Sequence, residues 1–182
     1  MNRILLIMFA TLALSACRED VAGRPLPMTM TAEALGHYCQ MNLLEHPGPK
    51  AQVHLDGLVV PLFFSQVRDA IAYQRMPEQS HAITAIYVSD MGAAPSWDNP
   101  GADNWIAAED AVYVVGASIV GGMGAPELIP FTDRAAADSF ALRNGGALLS
   151  LGDIPDDAVL APVEFQIDAD GNFIPPEGAA ID

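Results

Sequence analysis

The chain has 182 residues, with 23 acidic side chains against 8 basic ones and a formal charge of −15. A surface of this sign repels phosphate, which excludes a general grip on nucleic acid or on anionic lipid headgroups. It favours cationic partners, a basic protein or a metal cation, although acidity also serves solubility alone.

The first sixteen residues read as a signal peptide. Arg3 supplies a short positive region, and Ile4 to Leu14 form an apolar run of eleven residues. That run is too short to span a bilayer permanently, but it has the length and flanks of an export signal. It ends in Leu14-Ser15-Ala16-Cys17, where small residues suit a peptidase pocket. The segment resembles the bacterial lipoprotein pattern, in which the cysteine thiol is the lipid acceptor. Several acyl chains make such an anchor stable, since each buried methylene adds roughly 0.8 kcal/mol. Arg18, not Asp, follows the cysteine, which in double-membraned bacteria favours sorting to the outer membrane. Removal of Arg3 with the signal leaves 7 basic residues against 23 acidic ones.

Residues 17–35 are expected to form the lipidated N-terminus and a tether, with Arg24-Pro25-Leu26-Pro27 in its flexible part. Acylation consumes Cys17, so Cys39 is left as the free thiol of the mature chain and no internal disulfide can form. In an oxidising compartment such a thiol is a liability unless buried, coordinated or reactive. It lies in a stretch rich in His, Gly and Pro that reads as a loop, ending in His46-Pro47-Gly48-Pro49.

Two β-prone runs follow, 51–55 and 58–63, with the turn signal Asp56-Gly57 between them. Ser65 is placed to cap a helix whose apolar face holds Val67, Ala70 and Ile71, and which Met76-Pro77 stops. A third strand covers 83–88. The same string then recurs: strand 111–118, a turn at Gly121-Gly122-Met123-Gly124, strand 127–131, a helix capped by Thr132 and closed at Asn144-Gly145-Gly146, and strand 147–151. Phe64-Ser65 and Phe131-Thr132 occupy equivalent points 67 residues apart. The expected fold is therefore α+β, two tandem ββαβ units, each a small sheet covered by one helix. The first unit with its connecting segment takes 36–104 and the second 105–161. A single α+β domain with a chance likeness between its halves is the competing reading. Trp97 and Trp105 lie in the irregular connecting segment and are expected to plug the cleft between the units. A tail, 162–182, is expected to order poorly.

The chemistry starts from Cys39-Gln40-Met41. A thiolate and a thioether two residues apart can face one ion, and two soft sulfurs select Cu(I) over zinc, magnesium or calcium. Taken alone, Cys-x-Met also fits a small buried cysteine beside an incidental methionine. Further soft residues recur at turns, however: Met91 in Asp90-Met91-Gly92 and Met123 in the glycine turn. Either also suits packing. His37, two residues before Cys39, is the best-placed nitrogen donor; His46, His54 and His81 have weaker claims. Met28 and Met30 read as incidental. No third member orders a Cys–His nucleophile, and no Cys-x-x-Cys, phosphate loop or dinucleotide fingerprint is present, so no catalysis is expected.

Taken as a set, His37-Tyr38-Cys39-Gln40-Met41, Glu45-His46-Pro47-Gly48-Pro49-Lys50, Tyr87-Val88-Ser89-Asp90-Met91-Gly92, Trp105-Ile106 and Gly121-Gly122-Met123-Gly124-Ala125-Pro126 strongly resemble the NosL family of nitrous oxide reductase accessory lipoproteins. The resemblance runs from about Gly36 to Leu160. It implies a periplasmic Cu(I) chaperone that serves assembly of the copper–sulfide centre of nitrous oxide reductase. Its implied partners are that reductase and a membrane ABC-type assembly complex. It also implies two similar ββαβ units in an organomercurial-lyase-like arrangement. The family's Cys-x-Met ligands fall on Cys39 and Met41, and a methionine ligand falls on Met91, with His37 and Met123 as further candidates. The alternative function is a non-metal periplasmic binding or assembly lipoprotein in which Cys39 is merely buried.

Overall fold

The structure is a computed structural model describing residues 23–77, 79–163, 166–167, 169 and 173–174. The expected signal peptide and the expected lipid site at Cys17 lie outside the described residues. Among the described residues no helix is long and apolar enough to cross a membrane.

The first unit opens with β1 (Ala51–Leu55) and β2 (Leu62–Phe64), continues through α1 (Val67–Arg75) and closes with β3 (Ile83–Ser89). β1 is the middle strand, antiparallel to β2 on one side (Ala51↔Phe64) and to β3 on the other (Ala51↔Val88). The second unit repeats this with β5 (Val112–Val120), β6 (Pro126–Phe131), α2 (Arg134–Asn144) and β7 (Ala147–Ser150), in the order β6-β5-β7. In both, the first strand is central and the helix links the two strands that flank it. The fold is α+β with two tandem ββαβ units. Between them β4 (Trp105–Ala107) pairs with β3, so it edges the first sheet and the second unit begins after it.

The units share one core. Ala51, Val53 and Leu55 alternate onto one face of β1, where Val67, Ala70 and Ile71 of α1 cover them. Tyr113 and Leu128 of the second sheet join the same cluster, as do Ile154 and Val159 from the C-terminal helix α3 (Asp156–Leu160) and the turn before it. A smaller cluster built on Val114, Ile129, Phe131 and Ala137 lies under α2.

The other face of β1 carries Gln52 and His54, and it too is buried. Burying these polar groups requires partners, and residues 24–30 supply them. The backbone of Met28 donates to Gln52 Oε1 at 2.8 Å and accepts from its Nε2 at 3.0 Å. His54 Nε2 lies 2.9 Å from Gln52 Oε1, and the Tyr87 hydroxyl donates to the Pro25 carbonyl at 2.7 Å. Arg24 pairs with Glu109, and Met30 is buried with Ala34, Leu43 and Phe63. From Arg24 onward the expected flexible tether is instead a strap closing the second face of the sheet.

Several local expectations shift. Leu58, Val59 and Val60 are exposed loop, not strand. Asp56-Gly57 still turns the chain, with Gly57 at φ 74° and the Leu58 amide donating to the Leu55 carbonyl. α1 begins after Gln66, and Ser65 does not cap it. α2 is capped by Asp133, not Thr132; Asp133 Oδ1 accepts from the Ala135 amide at 2.8 Å. Its C-terminus is closed by Gly145 at φ 74°, as the glycine pair implied. Trp97 packs with the cluster under α2 and lies against Gly48 in the loop before β1. Trp105 instead packs on Phe63 at the edge of the first sheet. Within the tail, β8 (Gln166–Ile167) and β9 (Phe173–Ile174) pair antiparallel.

Candidate metal centre

Cys39 sits in a closed loop clipped to the free edge of β2. Leu35 bridges Asn42, and Gly36 bridges Phe63. The Gly36 amide donates to the Met41 carbonyl at 2.9 Å, and the Gln40 amide donates to the Gly36 carbonyl at 2.8 Å. Among the described residues Gln40 is the non-glycine with positive φ, at 57°. That left-handed residue reverses the chain between Cys39 and Met41, and its side-chain amide ties the reversal down by donating to the His37 carbonyl at 2.7 Å. The thiol packs on bare backbone, because a Cβ on Gly36 would stand 2.5 Å from Cys39 Sγ. Only glycine permits that approach.

The result is an accessible pair of soft sulfurs. Cys39 is half-buried with Sγ 3.6 Å from Ser65 Oγ, and Met41 is 40% exposed. The loop carries both expected ligands, one on either side of Gln40. Ser65, read as a helix cap, contacts the thiol instead. His37 packs its ring edge-on against Phe64 and Tyr73, each at 5.6 Å, so the aromatic cluster holds it beside the loop.

The two outlying methionines are placed differently. The Met91 backbone amide donates to the Pro130 carbonyl at 2.9 Å, and its half-buried side chain packs with the apolar cluster under α2. Met123 lies in the β5–β6 turn, and its amide donates to Gln66 Oε1 at 3.1 Å. Gln66 follows Ser65 directly, so the glycine turn is bonded to the residue next to the thiol's partner. The turn is tightly seated: a Cβ on Gly122 would meet the Pro47 carbonyl at 2.7 Å and His46 Cβ at 2.8 Å.

Behind the loop lies buried charge that sequence reasoning missed. Lys50 is fully buried, donating to the carbonyls of Pro47 at 3.0 Å and Gly48 at 2.6 Å. Burial pulls its ammonium down to about 8, against the opposing attraction of Glu127 and Cys39. Glu127 Oε1 accepts from the amides of Arg68 and Leu128 at 3.0 and 2.8 Å. Burial nevertheless raises its carboxyl to about 8. A lone carboxylate in the apolar run Glu127-Leu128-Ile129-Pro130-Phe131 was the available signal. Lys50, at the end of a Pro-Gly loop, offered none. His54 is engaged behind the sheet with Gln52, and burial lowers its pKa. His81 is exposed beside Ser80.

Among the described residues no group of three or more His, Cys, Asp or Glu side chains is placed to hold a metal. A thiolate and a thioether are donors suited to a soft monovalent metal. A family model described as NosL matches residues 27–159. The copper-binding lipoprotein NosL of Achromobacter cycloclastes is 61% identical over 163 residues, 89% of this chain and 84% of that protein. That of Stutzerimonas stutzeri is 31% identical over 159 residues, 86% and 80% of the two chains. The crystal structure of the copper chaperone NosL from Shewanella denitrificans matches with a TM-score of 0.66 at 29% identity, over 71% of this chain and 95% of that one. From the N-terminal strap through both units to α3, this chain belongs to the NosL family.

Proposed function

We propose that this chain is a Cu(I) chaperone, exported and anchored through lipid on Cys17, with its body in the periplasm. The observation that carries the reading is the loop of Cys39 and Met41, in which a left-handed Gln40 separates a half-buried cysteine from an exposed methionine. The relatives named copper-binding lipoprotein and copper chaperone support it. Cys39 as thiolate supplies charge and most of the affinity, and Met41 the second sulfur. Met91 is the third donor carried over from the family pattern; Met123 and His37 are its rivals. A low-coordinate soft site lets a partner's donor displace one thioether at a time, so copper passes by ligand exchange without being freed, and no turnover is involved.

The client is the copper–sulfide centre of nitrous oxide reductase, reached through a membrane ABC-type assembly complex. Arg18 after the acylated cysteine favours the outer membrane. The test is titration of the reduced apo-protein with Cu(I) against a competing chelator. One tightly held ion, lost in Cys39→Ala, is the expected result; unchanged stoichiometry and affinity in that variant would overturn the reading. X-ray absorption on the loaded protein then identifies the third donor, since a light scatterer in place of a second thioether sulfur assigns His37.

A further inference from the structure

Two buried polar side chains cross between the units beside the thiol. Gln66, from the first unit, is 1% exposed and accepts the Met123 amide of the second unit at 3.1 Å. Glu127, from the second, is 3% exposed and accepts the Arg68 amide in the first turn of α1 at 3.0 Å. The two bonds run in opposite directions between one helix terminus and one hairpin. Gly121 lies between them: a Cβ there would stand 2.7 Å from both Gln66 Nε2 and Glu127 Oε2. Neither of those two atoms has a hydrogen-bond partner among the described residues.

As glue between units this arrangement is poor. Burying an unpartnered amide donor and an unpartnered carboxyl oxygen costs stability that well-packed apolar side chains would not. What the arrangement does supply is direction. Hydrogen bonds fix the register of the Gly121–Gly124 turn against α1, where apolar contact would let it slide. The turn carries Met123, and the helix terminus carries Ser65, whose hydroxyl lies 3.6 Å from Cys39 Sγ.

We infer that Gln66 and Glu127 are positioning residues for the sulfur site, a crossed clasp that holds the Met123 turn beside the Ser65–Cys39 contact. The inference rests on the copper reading for its functional meaning. Its geometric content does not: loosening the clasp should free the Cys39 environment whether or not copper is present.

The experiment uses the full-length protein with Gln66→Ala, the gentler Gln66→Asn, whose amide is one methylene too short to reach Met123, and Glu127→Gln, which keeps an acceptor for the Arg68 amide. In the reduced apo-proteins, alkylation of Cys39 by iodoacetamide is expected to speed up several-fold in both Gln66 variants and to stay near wild type in Glu127→Gln. With Cu(I), both Gln66 variants should still bind one ion through Cys39. Their affinity should fall about five- to tenfold, the loss expected when one ordering hydrogen bond is removed, with altered sulfur scattering in X-ray absorption. Folded Gln66 variants with unchanged alkylation, affinity and scattering overturn the clasp. A wild-type protein that takes up no Cu(I) while the Gln66 variants alkylate faster overturns the copper reading and its part in this inference, leaving the positioning of Cys39 intact.

Discussion

The sulfur of Cys39 lies 3.6 Å from the hydroxyl oxygen of Ser65, joining the loop before the first strand to the entry of α1. Either atom can donate, and the contact is a weak one. Ser65→Ala should therefore keep one Cu(I) per chain and weaken it by no more than about fivefold, the order of one modest hydrogen bond. Competition titration checks this. Complete loss of copper would make Ser65 a ligand or an obligatory partner, which its geometry does not support.

Gln40 holds φ at 57°, a conformation that costs an L-residue roughly 1–2 kcal/mol. A β-branched side chain tolerates it still less. Gln40→Val should open the Cys39–Met41 reversal, lowering Cu(I) affinity at least tenfold while the rest of the fold survives. Gln40→Gly relieves the strain but removes the side-chain bond to the His37 carbonyl, and should fall between valine and wild type. Affinities ordered valine below glycine below wild type are expected; valine equal to wild type would show that the reversal does not set the site.

How far these features were legible follows from how local they are. β1, the end of α1 at Met76-Pro77, and the strand–turn–strand–helix string of the second unit were readable because each is set by a few adjacent residues. Cys39 and Met41 were singled out by the chemistry of their sulfurs alone. The strap was not: Arg24-Pro25-Leu26-Pro27 has a linker's composition, and its need arises only because Gln52 and His54 face a side of the sheet that alternation assigns to solvent. Leu58–Val60 has strand-like residues but no sheet partner beyond Pro61. Ser65 and Thr132 suited helix caps equally well, yet one turned to the thiol and the other gave way to Asp133. The Glu127–Arg68 bond spans 59 residues, and no local pattern announces it.

The strap makes a prediction that separates it from a flexible tether. Met30 is 2% exposed, and its amide donates to the Ala102 carbonyl at 2.9 Å. Truncating a buried methionine to alanine costs about 2–5 kcal/mol, whereas the same change in a tether costs nothing. Met30→Ala should lower the urea midpoint with an unchanged slope, and Leu26→Ala, at an exposed strap position, should leave it in place. Equal midpoints for Met30→Ala and wild type would return the segment to a tether.

The buried Glu127 and Lys50 make stability depend on pH in two opposite windows. Burial raises Glu127 from 4.5 to about 8, against hydrogen bonds from Arg68 and Leu128. Below 4.5 the carboxyl is protonated in both folded and unfolded chains. Between 4.5 and about 8 the unfolded chain releases that proton while the folded chain keeps it, so stability falls as pH rises. Burial lowers Lys50 from 10.5 to about 8, so between those values the folded chain has lost a proton that the unfolded chain still binds. There stability rises with pH. These two groups alone place a minimum near pH 8, and Glu127→Gln should remove the descending limb while leaving the ascending one. Urea unfolding at half-unit pH intervals measures both limbs. A descending limb as steep in Glu127→Gln as in wild type would assign it to other carboxylates.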